Sequence, residues 1–426
     1  GLLPPVRRNS ANPGVRDTAD HILRAAIEVP LANRGVRLLD IAEQPFAAAN
    51  GIFNEICSAR LGGLIGIRRF DVRVSDPDST QHTLAVVLKS KPSDTQMQDL
   101  LVEVATLCDP KLGTLCRAFQ NELGLSGCHE RELALYETPE PRIRAAMPTT
   151  LGTHRDPDRG IWSVAMAYRP EAANVDVAAT AGSWQLPQID TILSQLAQVH
   201  AVWYRQNRQL SRLPWLPPPI KTGRMMEMAP FWLALAEYSS RYFDAWTDEP
   251  LLPLQRALVA SLGTWWPALR ALPQTLVHND FNPRNFTLSR NPDGPVSLCV
   301  FDWELAGIDV PQHDLAELLC FVLPTGCSTA TVGHFLETHR LALQQATGVR
   351  VDRQLWLIGF RLSLSYLLIN RLPLYTLMHR FQPQAFLPRV MRNWELLYAM
   401  SLDSALEGTP NADPKAAQDN DDGHGE

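Results

Sequence analysis

Several things are scarce in this 426-residue chain. It has no unbroken apolar run of the roughly 18–20 residues that a membrane-spanning helix requires. The nearest stretch, Leu355 to Leu372, is interrupted by Arg361, Asn370 and Arg371 and reads as a buried core helix. Cysteine is sparse: seven, an odd number spread from Cys57 to Cys327, with no C-x-x-C pair. Neither a disulfide framework nor a zinc knuckle is expected from that spacing. Positive charge is not in excess either, with 39 Lys and Arg against 45 Asp and Glu and a net charge of −6. The last twenty residues carry six acids and one lysine, so the rest of the chain is close to neutral. A protein built mainly to bind nucleic acid would be strongly basic. The opening residues, Gly-Leu-Leu-Pro-Pro-Val-Arg-Arg, lack the ordered charged, apolar and cleavage regions of a secretory leader. These absences give the expectation of a cytoplasmic protein with neither a nucleic-acid nor a membrane partner; they leave the oligomeric state open.

Apolar residues make up 45% of the chain and charged residues 20%, ample for a buried core. At roughly 150 residues per domain, two or three domains or lobes are expected. Residues 1–30 read as a loose Pro- and Arg-rich arm followed by a helix from Asp17 to Ile27. Residues 31–170 are strand-rich. Phe70, Val72 and Val74 alternate with charged residues, Ser75 to Thr80 is turn chemistry, and Leu84 to Lys89 is a buried strand ending in a lysine. Helices are expected between Thr95 and Tyr136, broken at Asp109-Pro110 and at Gly124 to Gly127, followed by a short strand from Ser163 to Tyr168. Residues 171–406 are dominated by helices, among them an amphipathic one from Pro187 to Tyr204, with one strand-like interruption at Val296 to Asp302. The acidic segment 407–426 reads as disordered. The pattern predicts an α+β fold of two unequal lobes, a small strand-rich one and a larger helical one, with a cleft between them.

The chemistry concentrates in Val277-His278-Asn279-Asp280-Phe281-Asn282-Pro283-Arg284-Asn285-Phe286 and in Val300-Phe301-Asp302-Trp303-Glu304. Phosphoryl transfer needs a carboxylate beside the attacking hydroxyl, and oxygen ligands for the Mg²⁺ ions that hold a polyphosphate. One irregular loop can present both Asp280 and Asn285, and Asp302 at the end of a short strand can face them. A few hard oxygen donors suit Mg²⁺.

These residues resemble the aminoglycoside phosphotransferase and choline kinase family, which has a protein-kinase-like fold. Its H-x-D-x-x-x-x-N catalytic loop is matched by His278, Asp280 and Asn285, and its metal motif by Phe301-Asp302-Trp303-Glu304. A downstream D-L-A segment is matched by Asp314-Leu315-Ala316, and an L-A-x-x-H-A helix by Leu196 to Ala201. The resemblance spans roughly residues 50–400, the extent expected for a two-lobed domain. It implies a bilobal fold, ATP or GTP as phosphoryl donor bound near a hinge at Tyr168 to Ala173, and Mg²⁺. It further implies Asp280 as catalytic base, Asn285 and Asp302 as metal ligands, and Lys89 on the phosphates. Gly62, Gly63 and Gly66 would form the loop over the phosphates, although G-G-x-x-G departs from the protein-kinase spacing. The acidic partner of Lys89 is Glu132, in an R-E-x-x-x-Y helix, with Glu103 as the rival.

Blander readings stand beside these. His200 on an apolar helix face reads as a packed core histidine, Asp314 as a helix brace, and His278 as a scaffold for its loop. The glycines fit a plain hairpin turn almost equally well, and Arg284 fits either a phosphate contact or a surface ion pair. The helical half is poor in acids: from Leu341 to Met400 there are two, Asp352 and Glu395, against seven arginines. A polycationic acceptor demands paired carboxylates, so a small hydroxylated substrate that is not polycationic is expected. True aminoglycoside resistance is the alternative. A non-catalytic, pseudokinase-like binding protein is the more distant one, since Lys89, Asp280, Asn285 and Asp302 are all present.

Overall fold

The computed structural model describes residues 19–46, 64–168, 184–290 and 296–403. The arm before Ala19, the glycines Gly62 and Gly63, the hinge residues after Tyr168 and the acidic tail lie outside the described residues.

The smaller lobe is a five-stranded antiparallel sheet: β1 (Arg37–Gln44), β2 (Gly66–Ser75), β3 (Gln81–Lys91), β4 (Thr150–Asp156) and β5 (Ile161–Ala167), in the order β1-β2-β3-β5-β4. Side chains alternate faces along a strand. Phe70, Val72 and Val74 of β2, with Val86 and Leu88 of β3, therefore share one face. They pack against Ile22, Leu23, Ala26 and Ile27 of helix α1 (Ala19–Ala32) in a core of their own. The same alternation turns Lys89 and Lys91 to the opposite face. Helix α1 runs past Ile27 through Pro30. Proline has no N–H to give the carbonyl four residues back, and that carbonyl, Ala26 O, lies against β4 at Gly152, where a Cβ would sit 1.9 Å from it.

Three helices follow β3: α2 (Asp94–Cys108), α3 (Pro110–Ala118) and α4 (Cys128–Tyr136). Ser93 and Gln96 form a capping box at the start of α2. Asp109 accepts from the N–H groups of Lys111 and Leu112 to start α3, which places the break at the expected Asp109-Pro110. The segment from α2 to Glu122 reaches the helical lobe: Cys108 Sγ lies 3.7 Å from Leu377 O, and Arg224 Nε bonds Glu122 Oε1 at 2.6 Å.

The larger lobe surrounds helix α7 (Gln312–Val322), every residue of which is buried. Around it lie α5 (Leu186–His200), α6 (Ala229–Phe243), α8 (Thr329–Thr347), α9 (Arg353–Ile369), α10 (Arg371–His379) and α11 (Leu387–Ser401). Two short antiparallel ribbons interrupt the helices: β6 (Thr275–Val277) with β9 (Gly307–Asp309), and β7 (Phe286–Arg290) with β8 (Val296–Val300). Of these four strands the sequence pattern revealed only β8. The apolar stretch around Leu355 to Leu372 is two helices, α9 and α10, that meet at Asn370 (φ −112°, ψ −82°). More than half of its most apolar window is buried inside the protein.

Candidate active site

The candidate loop, residues 278–285, lies between β6 and β7, and its backbone is held from behind. Asp314, in the first turn of α7, accepts from the N–H of His278 at 2.7 Å and from that of Asn279 at 2.9 Å. It braces the loop and makes no side-chain cap bond at the start of its own helix, where Pro311 stands at the N-cap. His200 Nε2 lies 3.0 Å from Asp314 Oδ2, and His200 Nδ1 lies 3.0 Å from His339 Nε2. Burial works against charge on Asp314, but the bond and charge of His200 hold its carboxyl below the usual range. Burial, with His200 adjacent, keeps the His339 imidazole well below its ordinary pKa and so neutral. His278 Nε2 donates to Phe301 O at 3.0 Å, which ties this loop to the strand end carrying Asp302. Asn279 takes a left-handed turn (φ +61°) and anchors its side chain on Leu305 O at 3.0 Å.

Asp280 receives three side-chain donors. Asn285 Nδ2 lies 2.8 Å from Oδ2, while Asn282 Nδ2 and the Tyr375 hydroxyl each lie 3.0 Å from Oδ1. Burial raises the pKa of this carboxyl, but Arg371 and then Arg284 outweigh it and hold Asp280 below the ordinary range. It is thus an ionised acceptor at neutral pH. Asn285 Nδ2 also donates to Asp280 O at 2.8 Å, so its amide oxygen is aimed away from Asp280.

Opposite lies a compact charge cluster. Lys89 Nζ is 2.6 Å from Glu132 Oε1 and 2.8 Å from Asp302 Oδ1. Of the two acids considered for this lysine, Glu132 on α4 is the one placed against it. Lys91, two residues on and therefore on the same face of β3, lies 3.2 Å from Asp302 Oδ1 and 3.4 Å from Glu132 Oε2, and it bonds Glu304. Two lysines thus face three carboxylates, all largely buried. For Asp302, burial raises the pKa, but Lys89 and Lys91 hold it far below the usual range. Burial alone would discharge Lys89, but Asp302 and Glu132 keep it protonated. Asp302 itself adopts φ +66°, a left-handed conformation uncommon outside glycine, which turns its side chain toward the lysines. Arg131 secures the next turn by donating to Glu304 O at 2.8 Å.

Gly66 opens β2 opposite Ser90, one step from Lys89, with φ +126°. A side chain there would be strained. Asp280, Asn285, Asp302 and Glu304 line one cavity of about 130 Å³ together with Arg284, Arg371 and Tyr375.

Sequence reading had not singled out Lys91, Asn282, Glu317 or Tyr375. Lys91 was legible in principle, since residues two apart share a strand face. Glu317 sits one helical turn beyond Asp314, and its Oε1 lies 3.2 Å from Asn282 Nδ2 and 3.4 Å from the Tyr375 hydroxyl. Arg284 is half-buried over the Phe386 ring at 4.8 Å and donates to the Tyr375 hydroxyl at 2.9 Å.

Burial first, and the Asp280 charge second, push the Glu317 carboxyl up to about 8. An acid that holds its proton more tightly when folded contributes stability that is complete below the unfolded pKa of about 4.3. That contribution is lost as pH rises through the folded value. Glu317→Gln keeps the shape without the titration. Denaturant melts of this variant between about pH 4.5 and 8.5 should therefore show less loss of stability with rising pH than the wild type. An equally steep profile would assign the slope to other groups.

Residues 165–348 match the sequence model of the phosphotransferase enzyme family. No curated protein matches the chain. Among solved structures, an aminoglycoside 3′-phosphotransferase of type VIII is 16% identical, covering 82% of this chain and 98% of its own, with a TM-score of 0.38. A choline/ethanolamine kinase family protein from Mesorhizobium loti is 16% identical, covering 77% and 86%, with a TM-score of 0.35. Ethanolamine kinase from Plasmodium vivax is 12% identical, covering 80% of each chain, with a TM-score of 0.40. The matched segment contains the loop of Asp280 and Asn285, Asp302, the Asp314 brace and His200. Over residues 165–348 the chain carries the sequence pattern of the phosphotransferase enzyme family.

Proposed function

We propose that the protein transfers the γ-phosphoryl group of ATP or GTP to a hydroxyl of a small molecule. The observation that carries this reading is the convergence of an ionised, donor-held Asp280 with Asn285, Asp302 and Glu304 on one cavity beside a charged Lys89. Asp280 orients the acceptor hydroxyl and takes its proton as the oxygen attacks the γ-phosphorus. The bond from that phosphorus to the β-γ bridging oxygen breaks, and the nucleoside diphosphate leaves with the electron pair. Lys89 contacts the donor phosphates, and Arg284 and Arg371 add positive charge beside the site of transfer.

The donor set fits Mg²⁺. Carboxylate oxygens of Glu132, Asp302 and Glu304 lie within 4.8 Å of one another, and the Asn285 amide oxygen is turned away from Asp280. Asp302 and Asn285 would hold the ion, whose bound charge offsets that of the polyphosphate. Gly66 supports a backbone turn close to the phosphates.

The test is nucleoside-diphosphate release with Mg²⁺ and ATP or GTP, across a panel of hydroxylated metabolites and antibiotics. Turnover stimulated by at least one neutral hydroxyl compound, and not by kanamycin, is the expected result. Robust phosphorylation of kanamycin would refute the acceptor class and keep the reaction. An absence of transfer to any acceptor or to water would count against the reaction itself.

A further inference from the structure

The two members of the Lys89–Glu132 pair are 43 residues apart, and the chain between them does not simply turn back. It folds into α2, α3 and the segment to Gly127, and crosses to the helical lobe. There it walls the cavity in front of Asp280. Met97, Leu101, Leu123 and Leu125 form one side, and Leu374 and Met378 of α10 the other.

We propose that the acceptor is an uncharged alcohol whose carbon skeleton sits between this segment and α10 with its hydroxyl at Asp280. The inference rests on the kinase reading and adds the substrate class to it. The carboxylates at this cavity are already engaged: Asp280 by Asn285, Asn282 and Tyr375, Asp302 by Lys89 and Lys91, and Glu304 by Lys91. Among the described residues, Arg284 and Arg371 are the cations on its wall. An acceptor ammonium would meet two guanidinium groups and, among the described residues, no spare carboxylate. The six apolar side chains offer no hydrogen bonds, so extra hydroxyls of a polyol would be left unpaired against them. The volume of about 130 Å³ compares with the ~150 Å³ apolar cavity that takes up benzene. Asn285, Asp302 and Glu304 line the same cavity, so a six-membered ring is the upper size for the acceptor skeleton.

Benzyl alcohol is the probe, titrated into the full chain loaded with Mg²⁺ and a non-hydrolysable ATP analogue and read by calorimetry or saturation-transfer NMR. It should bind at least about tenfold more tightly than glycerol, and kanamycin should not bind. Leu123→Asp and Leu374→Asp replace half-buried positions, and a cooperative melt checks that each is folded. Each should weaken benzyl alcohol at least about tenfold. The proposal is overturned if benzyl alcohol does not bind the loaded protein, if kanamycin binds as well, or if both variants bind it like the wild type. Failure of the nucleotide to load overturns the kinase reading and this inference together.

Discussion

Asp280→Asn will lower the rate of phosphoryl transfer by about 10²- to 10⁴-fold, the range that general-base assistance contributes, and will leave Mg-nucleotide affinity nearly intact. The amide removes the negative charge and the proton acceptor. The loop keeps its shape, because Asp314 and Phe301 hold its backbone and His278 without using the Asp280 side chain. Asp302→Asn will do the reverse and weaken Mg-nucleotide binding. It also leaves Lys89 and Lys91 facing Glu132 and Glu304, a balanced cluster, so the protein should stay folded. Separate measurement of kcat and nucleotide affinity distinguishes the two variants. Loss of nucleotide binding in Asp280→Asn with retention in Asp302→Asn would reverse the assigned roles.

Lys89→Met should be costly in two ways. It removes the phosphate contact, and it leaves Lys91 alone against three buried carboxylates. Breaking a buried ion pair from one side typically costs about 3–5 kcal/mol, because the stranded charge remains desolvated. The variant should melt well below the wild type, and Mg²⁺ should restore part of that loss by neutralising Asp302. Lys91→Met removes an equal charge without the phosphate contact, so it should show a comparable stability loss with a smaller loss of turnover. A wild-type melting temperature and full turnover in Lys89→Met would mean that the cluster neither stabilises the cleft nor holds phosphate.

The candidate site residues were legible because the chemistry proposed for them requires fixed types at fixed spacing. His278, Asp280, Asn285 and Asp302 stand out in the linear sequence, and Lys89 closes the apolar run Leu84 to Leu88, although the strand itself continues to Lys91. Two kinds of feature were hidden. The strands β6, β7 and β9 are only three to five residues long, too short for a period-two pattern to emerge from buried surroundings. The partners of Asp280 come from distant positions: Tyr375 from α10, and Glu317 from a helix that is buried throughout. No local pattern marks a glutamate as the neighbour of a loop 35 residues earlier. The segment 94–127 was visible as helices, but its place as a wall of the cavity depends on packing against α10, which propensity does not encode. His200 and Asp314 show the intermediate case. His200 reads as a core histidine and Asp314 as a helix brace, and both are buried, yet His200 bonds Asp314, which in turn accepts from the backbone N–H groups of His278 and Asn279.

Calorimetric titration of the full chain with non-hydrolysable analogues of ATP and GTP, with and without Mg²⁺, tests the phosphotransferase reading most directly. Saturable binding of at least one nucleotide that requires Mg²⁺, is lost with EDTA and is weakened in Asp302→Asn is the expected result. A flat titration with both nucleotides in the presence of Mg²⁺, on protein that still melts cooperatively, would contradict it.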